Sequence, residues 1–277
     1  MLLPLGEADG GSRPSVVWSF CDIESLNLPR IIGHRGAAAR APENTLAGFR
    51  AAKALGCDWV EFDVRLTVDG ALVVCHDDTL NRTTDGKGRI SELPLAALRE
   101  LDAGRWFTAA FAGEHIPTLR EVLCLCAELG LGANIEIKAE YGRGPATATA
   151  VAACLDRFTG QLSPILISSF LADAVAEAAA LMPAIPRGML WRRLPRGWAR
   201  TAERLGCATI HLGEAGLTET VTAQIVAAGY PLLAYTVNNA ARAQQLFGWR
   251  VTSVFSDAPD IILATELGAG ARRGVNL

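Results

Sequence analysis

The sequence predicts an α/β protein of the TIM (β/α)8 barrel type, with a small insertion after the second barrel strand. Eight short apolar runs recur along the chain, and Ala-rich amphipathic segments separate them. Such alternation favours a parallel sheet of buried strands covered by helices. Eight repeats in a chain of 277 residues favour closure of that sheet into a barrel.

The barrel strands are predicted from the apolar runs themselves. They are Arg30–His34, Asp58–Val64, Gly132–Lys138, Pro164–Ser168, Pro186–Trp191, Cys207–Leu212, Pro231–Thr236 and Val251–Ser256. Covering helices are expected between them, at Leu46–Leu55, Thr147–Phe158, Ala172–Leu181 and Thr218–Ala228 among others. The chain is thus expected to form a loose Gly-rich extension over residues 1–28 and a single barrel domain over residues 29–277.

A ninth apolar run, Ala71–His76, does not fit the barrel repeat. Only six residues separate it from the second strand, which is too short for a parallel crossover, and they include the turn signal Asp69-Gly70. We therefore expect an antiparallel partner of the second strand. The polar stretch that follows, residues 77–115, is interpreted as an insertion that contains a short helix at Leu95–Leu101.

Composition gives no indication of a nucleic-acid or membrane partner. The net charge of −3 gives no reason to expect nucleic acid or stable membrane association. No segment approaches the roughly 20 consecutive apolar residues that span a bilayer, and Met1–Ser12 lacks the basic residues of a signal peptide. The seven cysteines show no disulfide or zinc-type spacing. Reduced thiols and a cytoplasmic location are therefore expected.

Three carboxylates are predicted at the end of the barrel where TIM-barrel active sites lie, the C-terminal ends of the strands. Glu61 and Asp63 are two residues apart and share one face of the second strand, and Glu136 lies near the end of the third. Structural ion pairs with Arg or Lys could account for any one of them. Three together favour a divalent cation, because the carboxylates would otherwise repel one another. Oxygen ligands suit Mg²⁺, Ca²⁺ or Mn²⁺.

Two histidines and two cationic side chains are expected beside these carboxylates. His34 and His76 each end a strand, which favours general acid/base chemistry over the usual role of a lone histidine in a core. Arg35 and Lys138 are candidates to hold a phosphate. Their alternative role is to balance the charge of the carboxylates, and the sequence does not separate the two.

Two further residues are weaker candidates. His211, near the end of the sixth strand, is interpreted as a substrate contact at the barrel mouth. Glu43 follows the loop after the first strand and is interpreted as a group that supports the metal or His34. Beside it, Asn44 or Thr45 is expected to cap the following helix.

Several short motifs in a fixed order carry a resemblance to a known family. They are His34-Arg35-Gly36, Ala41–Thr45 (APENT), Glu61-Phe62-Asp63, His76–Thr84 (HDDTLNRTT), Asn134–Lys138 (NIEIK) and Tyr235–Asn238 (YTVN). Each is weak alone, but their order and spacing are specific. From about Ile31 to Ile262 the sequence resembles the glycerophosphodiester phosphodiesterases, most of all the cytoplasmic bacterial type. One departure is Ser256-Asp257, where the family usually has Thr-Asp.

The resemblance implies roles for the candidate residues. The acid/base pair would be His34 and His76, the metal ligands Glu61, Asp63 and Glu136, and the substrate-binding residues Arg35, Lys138, Glu43, Phe170 and Tyr235. The implied reaction is metal-dependent hydrolysis of a small glycerophosphodiester to sn-glycerol 3-phosphate and an alcohol, through a cyclic phosphate.

Two alternative functions stay open at this stage. A phospholipase acting on lysophospholipids would need an exposed apolar rim, which Trp106, Phe107 and Phe111 of the insertion could form. A non-catalytic phosphoester-binding barrel would need a degraded site, whereas every candidate residue is intact. The sequence indicates no oligomeric state.

Overall fold

The structure, a computed structural model, describes residues 27–158 and 163–273. The expected extension over residues 1–28 therefore lies outside the described residues except for its last two. Nine strands occur in the described part of the chain. They are β1 Ile31–His34, β2 Trp59–Leu66, β3 Leu72–Val74, β4 Gly132–Ile137, β5 Ile165–Ser169, β6 Arg187–Trp191, β7 Thr209–Gly213, β8 Leu232–Tyr235 and β9 Ser253–Ser256.

Eight of these strands form a closed parallel barrel. Each pairs with its neighbours in chain order once β3 is set aside, and β1 closes the ring by pairing with both β2 and β9. At the point of closure, Gly33 lies between Val60 of β2 and Ser256 of β9. The predicted (β/α)8 fold is confirmed. The antiparallel pairing of β3 with β2, in which Val64 is opposite Val74, is confirmed as well.

Helices cover the outside of the barrel. They are α1 Leu46–Ala54, α2 Leu95–Leu98, α3 Leu119–Leu129, α4 Gly144–Asp156, α5 Ala172–Leu181, α6 Trp198–Arg204, α7 Glu219–Ala227, α8 Ala240–Gly248 and α9 Pro259–Arg273. Their starts follow local chemistry: the Thr45 hydroxyl accepts from the Gly48 N–H, and Thr118 forms a capping box with Glu121. Helix α4 begins three residues before its predicted start, because Pro145 suits the first helical turn.

Alternation along the strands divides the apolar residues between two layers. Outward-facing side chains such as Val60, Phe62 and Ile135 pack against the helices. Inward-facing side chains fill the lower part of the barrel. They are Ile32, Trp59, Leu166, Leu233 and Phe255. The upper part of the interior is consequently left to polar residues. None of the helices described is long and apolar enough to cross a membrane.

The segment between β3 and α3 has a small apolar cluster of its own. Its buried members are Val73, Cys75, Leu80, Ile90, Leu98, Ala103 and Ile116. Helix α2 and two single-turn 3-10 helices, Ile90–Glu92 and Ala109–Phe111, provide its regular structure. Helix α2 is three residues shorter than predicted. This cluster anchors the insertion beside the barrel mouth.

Candidate active site

The C-terminal ends of β2 and β4 bring three buried carboxylates together. Glu61, Asp63 and Glu136 each offer one oxygen, and the three oxygens lie within 4.8 Å of one another. In the register of the two strands, Asp63 is directly opposite Glu136. Among the described residues, Glu61 Oε1 and Glu136 Oε1 have no hydrogen-bond partner although both are buried. Buried oxygens without a hydrogen bond in such a cluster suit a hard divalent cation.

The protonation of these carboxylates reflects their crowding. Burial and the charge of Asp63 raise the pKa of Glu136 to about 7. Burial, followed by the charges of Asp63 and Glu136, raises the pKa of Glu61 as well. Burial opposes ionisation of Asp63 too, but the charges of Lys138 and Arg35 hold its pKa below the usual range. Burial and mutual repulsion therefore both oppose ionisation of Glu61 and Glu136.

Both predicted phosphate-binding side chains contact the carboxylates. Lys138 Nζ lies 3.3 Å from Asp63 Oδ1 and 3.6 Å from Glu136 Oε1. Arg35 Nε lies 3.4 Å from Asp63 Oδ2, and Arg35 Nη1 donates to Glu43 Oε1 at 2.8 Å. The charge-balancing contacts considered for Arg35 and Lys138 thus exist, at positions that face the same mouth.

His34 is paired with the carboxylate of Asp257, the residue that directly follows the last barrel strand. Its Nδ1 lies 2.6 Å from Asp257 Oδ1, and its Nε2 lies 3.8 Å from Glu61 Oε2. Asn238 fixes Asp257 by donating to Oδ2 at 2.7 Å and by accepting from the Asp257 backbone N–H at 2.8 Å. Ser256 donates its hydroxyl to the same Asn238 oxygen. Ser256, which stands where the family usually has Thr, therefore has a hydrogen-bonded hydroxyl.

His76 is paired in the same manner with its neighbour in sequence. Its Nδ1 lies 2.6 Å from Asp77 Oδ1. Burial lowers the pKa of His76, and the charges of Arg35 and Lys138 add to this effect. In both pairs the carboxylate engages Nδ1, which leaves Nε2 as the nitrogen available to exchange a proton.

Glu43 has two cationic partners rather than a contact with a histidine. Arg35 donates to Oε1, and Arg82 donates to both oxygens at 2.7 and 2.8 Å. Arg82 also donates to both oxygens of Asp77, at 2.7 and 3.1 Å. Although burial opposes it, hydrogen bonds from Arg82 and the charge of Arg35 lower the pKa of Glu43. The structure therefore does not bring Glu43 against His34.

Asn44 supports the carboxylate cluster and does not cap the helix. Its Nδ2 donates to Asp63 Oδ2 at 2.9 Å, and its Oδ1 accepts from the Asp63 backbone N–H at 3.3 Å. Thr45 provides the cap instead. With φ at 57°, Asn44 adopts a left-handed conformation that asparagine tolerates better than most residues. This role escaped the sequence analysis, although Asn44 stands within a family motif.

Phe170, after β5, and Tyr235, at the end of β8, form an aromatic wall at the mouth. Their ring centroids are 5.8 Å apart and their planes nearly perpendicular. Phe170 is 38% exposed, whereas the Tyr235 hydroxyl is buried without a hydrogen-bond partner among the described residues. Burial and the charge of Glu136 raise the pKa of Tyr235, so the hydroxyl lies within electrostatic range of the carboxylate cluster.

The expectation that His211 contacts substrate at the mouth is not supported by its position. The imidazole is completely buried, accepts or donates one hydrogen bond with Thr209 Oγ1 at 2.9 Å, and packs against Phe255 in the lower barrel. Gly188 makes room for it, since a Cβ there would lie 2.5 Å from His211 Nε2. Burial lowers the pKa of His211 to about 3. His211 is therefore a neutral core residue beneath the site.

The insertion does not present the broad apolar rim that a phospholipase would need. Phe107 packs edge-to-face against both Trp106 and Phe111, and Trp106 Nε1 donates to the Ala103 carbonyl. These aromatic side chains are thus used largely in packing the insertion. Beside Lys138, a small open cleft lies between the insertion and the loop after β4, lined by Ser91 and Glu140 among others.

Two carboxylate-paired histidines, a carboxylate cluster suited to a cation and two cationic side chains meet at one barrel mouth, an arrangement that fits a barrel phosphoesterase. The chain belongs to the glycerophosphoryl diester phosphodiesterase family, whose family model matches residues 34–261. The resemblance in the sequence and the expected class of enzyme are thereby confirmed.

Individual relatives match over most of their length. The chain is 32% identical over 234 residues to the glycerophosphodiester phosphodiesterase of Caldanaerobacter subterraneus, covering 84% of this chain and 96% of that one. It is 31% identical over 255 residues to the glycerophosphodiester phosphodiesterase of Bacillus subtilis, covering 86% of each. A solved structure of an Oleispira antarctica phosphodiesterase in complex with the product sn-glycerol-3-phosphate superimposes with a TM-score of 0.84 at 40% identity, covering 87% of this chain and 98% of that one.

Proposed function

We propose that this chain performs its family's hydrolysis of glycerophosphodiesters, with His34 and His76 as the acid/base pair. The observation that carries the proposal is the pairing of each histidine with a carboxylate at 2.6 Å, next to one carboxylate cluster. The products are sn-glycerol 3-phosphate and an alcohol, and the former is the product named in the Oleispira antarctica complex.

The two histidines can divide the proton transfers. An Nδ1–H that donates to Asp257 or Asp77 holds the imidazole in the tautomer whose Nε2 is free to accept a proton. One histidine takes the proton of the glycerol 2-hydroxyl as its oxygen attacks phosphorus, and the other protonates the departing alcohol oxygen. The P–O bond to the alcohol breaks, and a cyclic phosphate forms. Water then opens the ring, and the histidines exchange roles.

The carboxylate cluster fits a divalent cation. Glu61, Asp63 and Glu136 would hold it, and their all-oxygen set is compatible with Mg²⁺, Ca²⁺ or Mn²⁺. When bound, the cation would supply Lewis-acid stabilisation of the charge that develops on the phosphate. Asn44 keeps Asp63 oriented in this cluster through its two hydrogen bonds.

The remaining candidates would orient the substrate. Arg35 and Lys138 supply the positive charge that attracts the phosphate, while the aromatic wall of Phe170 and Tyr235 offers an apolar face to the glycerol. A small polar substrate is consistent with the narrow apolar exposure of the insertion. The described cysteines are all free, which supports the cytoplasmic location expected from the sequence.

The experiment is release of glycerol 3-phosphate from glycerophosphocholine by the purified chain, with EDTA or with added Mg²⁺, Ca²⁺ or Mn²⁺. His34→Ala should abolish the release. His115→Ala is the matched control, because His115 is exposed in the insertion and contacts only the Leu101 carbonyl in the described structure. Absence of release with every metal, together with release of product from a lysophospholipid, would replace the proposal with the phospholipase alternative.

A further inference from the structure

Arg82 joins the two halves of the candidate site from within the insertion. Its Nε and Nη2 donate to Asp77, and its Nη1 and Nη2 donate to Glu43, all at 2.7 to 3.1 Å. Asp77 in turn accepts from His76 Nδ1, and Glu43 accepts from Arg35. A continuous chain of charge-assisted hydrogen bonds therefore runs from one histidine to the arginine beside the other.

The guanidinium suits this position because it is planar and presents donors along two edges. One edge meets the carboxylate of Asp77, and the other meets that of Glu43. A lysine ammonium is a single point donor and cannot bind both carboxylates through two parallel hydrogen bonds. Arg82 therefore fixes the plane of the Asp77 carboxylate as well as its charge.

The insertion holds Arg82 in place through its neighbours in sequence. Leu80 is buried in the insertion's apolar cluster, and its N–H donates to the Gly88 carbonyl. The Thr84 hydroxyl donates a hydrogen bond to the Leu80 carbonyl at 2.8 Å. Residues on both sides of Arg82 are thus anchored, so this turn holds the guanidinium at the barrel mouth.

We propose that Arg82 is a positioning residue for catalysis, which sets the orientation of the His76 imidazole by clamping Asp77 against Glu43. The inference rests on the proposed function of His76. The electrostatics agree with it, because the hydrogen bonds from Arg82 are the largest cause that lowers the pKa of Asp77. An ionised Asp77 can only accept, which requires that His76 Nδ1 carry the proton.

Arg99 provides a matched control for a merely structural ion pair. It also lies in the insertion, donates to both oxygens of Glu121 at 2.9 and 2.6 Å, and is exposed to the same degree, 43% against 45% for Arg82. Surface pairs of this type contribute little to stability. If Arg82 served only stability, then Arg82→Gln and Arg99→Gln would behave alike.

The kinetic test compares these variants in the glycerophosphocholine assay. Arg82→Gln should lower kcat about 10- to 100-fold with little change in KM, whereas Arg99→Gln should keep the kcat of the parent. Arg82→Lys should recover only part of the loss. Added guanidinium should raise kcat of Arg82→Ala, because the half-exposed position is open to solvent.

A double-mutant cycle distinguishes action through Asp77 from an independent effect. Combining Arg82→Gln with Asp77→Asn should cost no more than Asp77→Asn alone, since both substitutions break the same chain of hydrogen bonds. Losses that multiply, or an Arg82→Gln variant as active as Arg99→Gln, would overturn the inference.

A readout independent of activity separates this inference from the proposed function. The chain has four histidines, so the ring ¹⁵N signals of His76 can be assigned with a His76→Gln variant. The parent should show His76 protonated at Nδ1, and Arg82→Gln should show a mixture of tautomers. An inactive parent with this change would count against the proposed function alone, and identical spectra would count against the role of Arg82.

Discussion

His211 gives a quantitative test of the barrel interior. The imidazole is completely buried beside Phe255, and burial lowers its pKa from 6.5 to about 3. It therefore stays neutral in the folded chain at pH values where an unfolded chain would protonate it. The proposed perturbation is His211→Gln, which removes the titrating group and keeps a polar side chain facing Thr209.

The expected magnitude follows from linkage between protonation and folding. Since the folded-state pKa is lowered, the unfolded chain binds the additional proton, and stability is fully present above pH 6.5 and is lost as the pH falls towards 3. At pH 5, about 1.5 units below the unfolded pKa, the loss is about 2 kcal/mol at 1.36 kcal/mol per unit. His211→Gln should not suffer this particular loss.

The assay is urea unfolding of the parent and of His211→Gln at pH 7 and at pH 5. The variant is expected to be less stable at both pH values, because its packing is imperfect. The parent should nevertheless lose about 2 kcal/mol more than the variant between pH 7 and pH 5. His115→Gln controls for removal of an exposed imidazole. Equal pH dependence in the parent and in His211→Gln would refute a neutral, buried His211.

Three further predictions concern the site. Asp257→Asn should lower the kcat of glycerophosphocholine hydrolysis about 100-fold with little change in KM, because an amide does not fix the tautomer of His34. A raised KM at unchanged kcat would contradict this prediction. In the parent, a divalent cation at about 100 times its Kd should stabilise the fold by about 2.7 kcal/mol. Glu136→Gln should lose most of that gain in thermal unfolding, and a variant that keeps it would exclude Glu136 as a ligand. Phe170→Ala should raise KM about five-fold at nearly constant kcat if the ring packs on the glycerol, whereas Phe107→Ala, within the insertion's aromatic cluster, should leave KM unchanged.

The strand ends were predictable because barrel geometry alone decides which residues meet at the mouth. Glu61 and Asp63 are two residues apart and therefore lie on one face of β2, and the parallel register places Glu136 opposite Asp63. Their convergence was therefore predicted from sequence, while their roles stay proposals. The predicted place of His211 at the mouth is wrong, because alternation along a strand specifies which face a side chain is on but not its depth in the barrel. His211 faces inward one layer below Gly213.

The partners of the predicted residues were harder to infer. Asp77 and Arg82 stand in the motif that begins at His76, so the motif pointed to them without indicating their hydrogen bonds. For Asn44 the sequence predicts only a helix cap, because asparagine suits both a helix start and a contact with a buried carboxylate. For Asp257 the sequence indicates only a place beside a departure from the family motif, since its contact with His34 depends on how the first and last strands pair.

The closure of β1 on β9 has a consequence for synthesis of the chain. His34 and Asp257 are 223 positions apart, yet they bond across the junction of the first and last strands. A ribosome-bound chain that still lacks β9 can contain every carboxylate of the cluster and both histidines without the partner that orients His34. If His34 acts as proposed, competence for catalysis arises only after the final strand has emerged, and a chain truncated before β9 should be inactive.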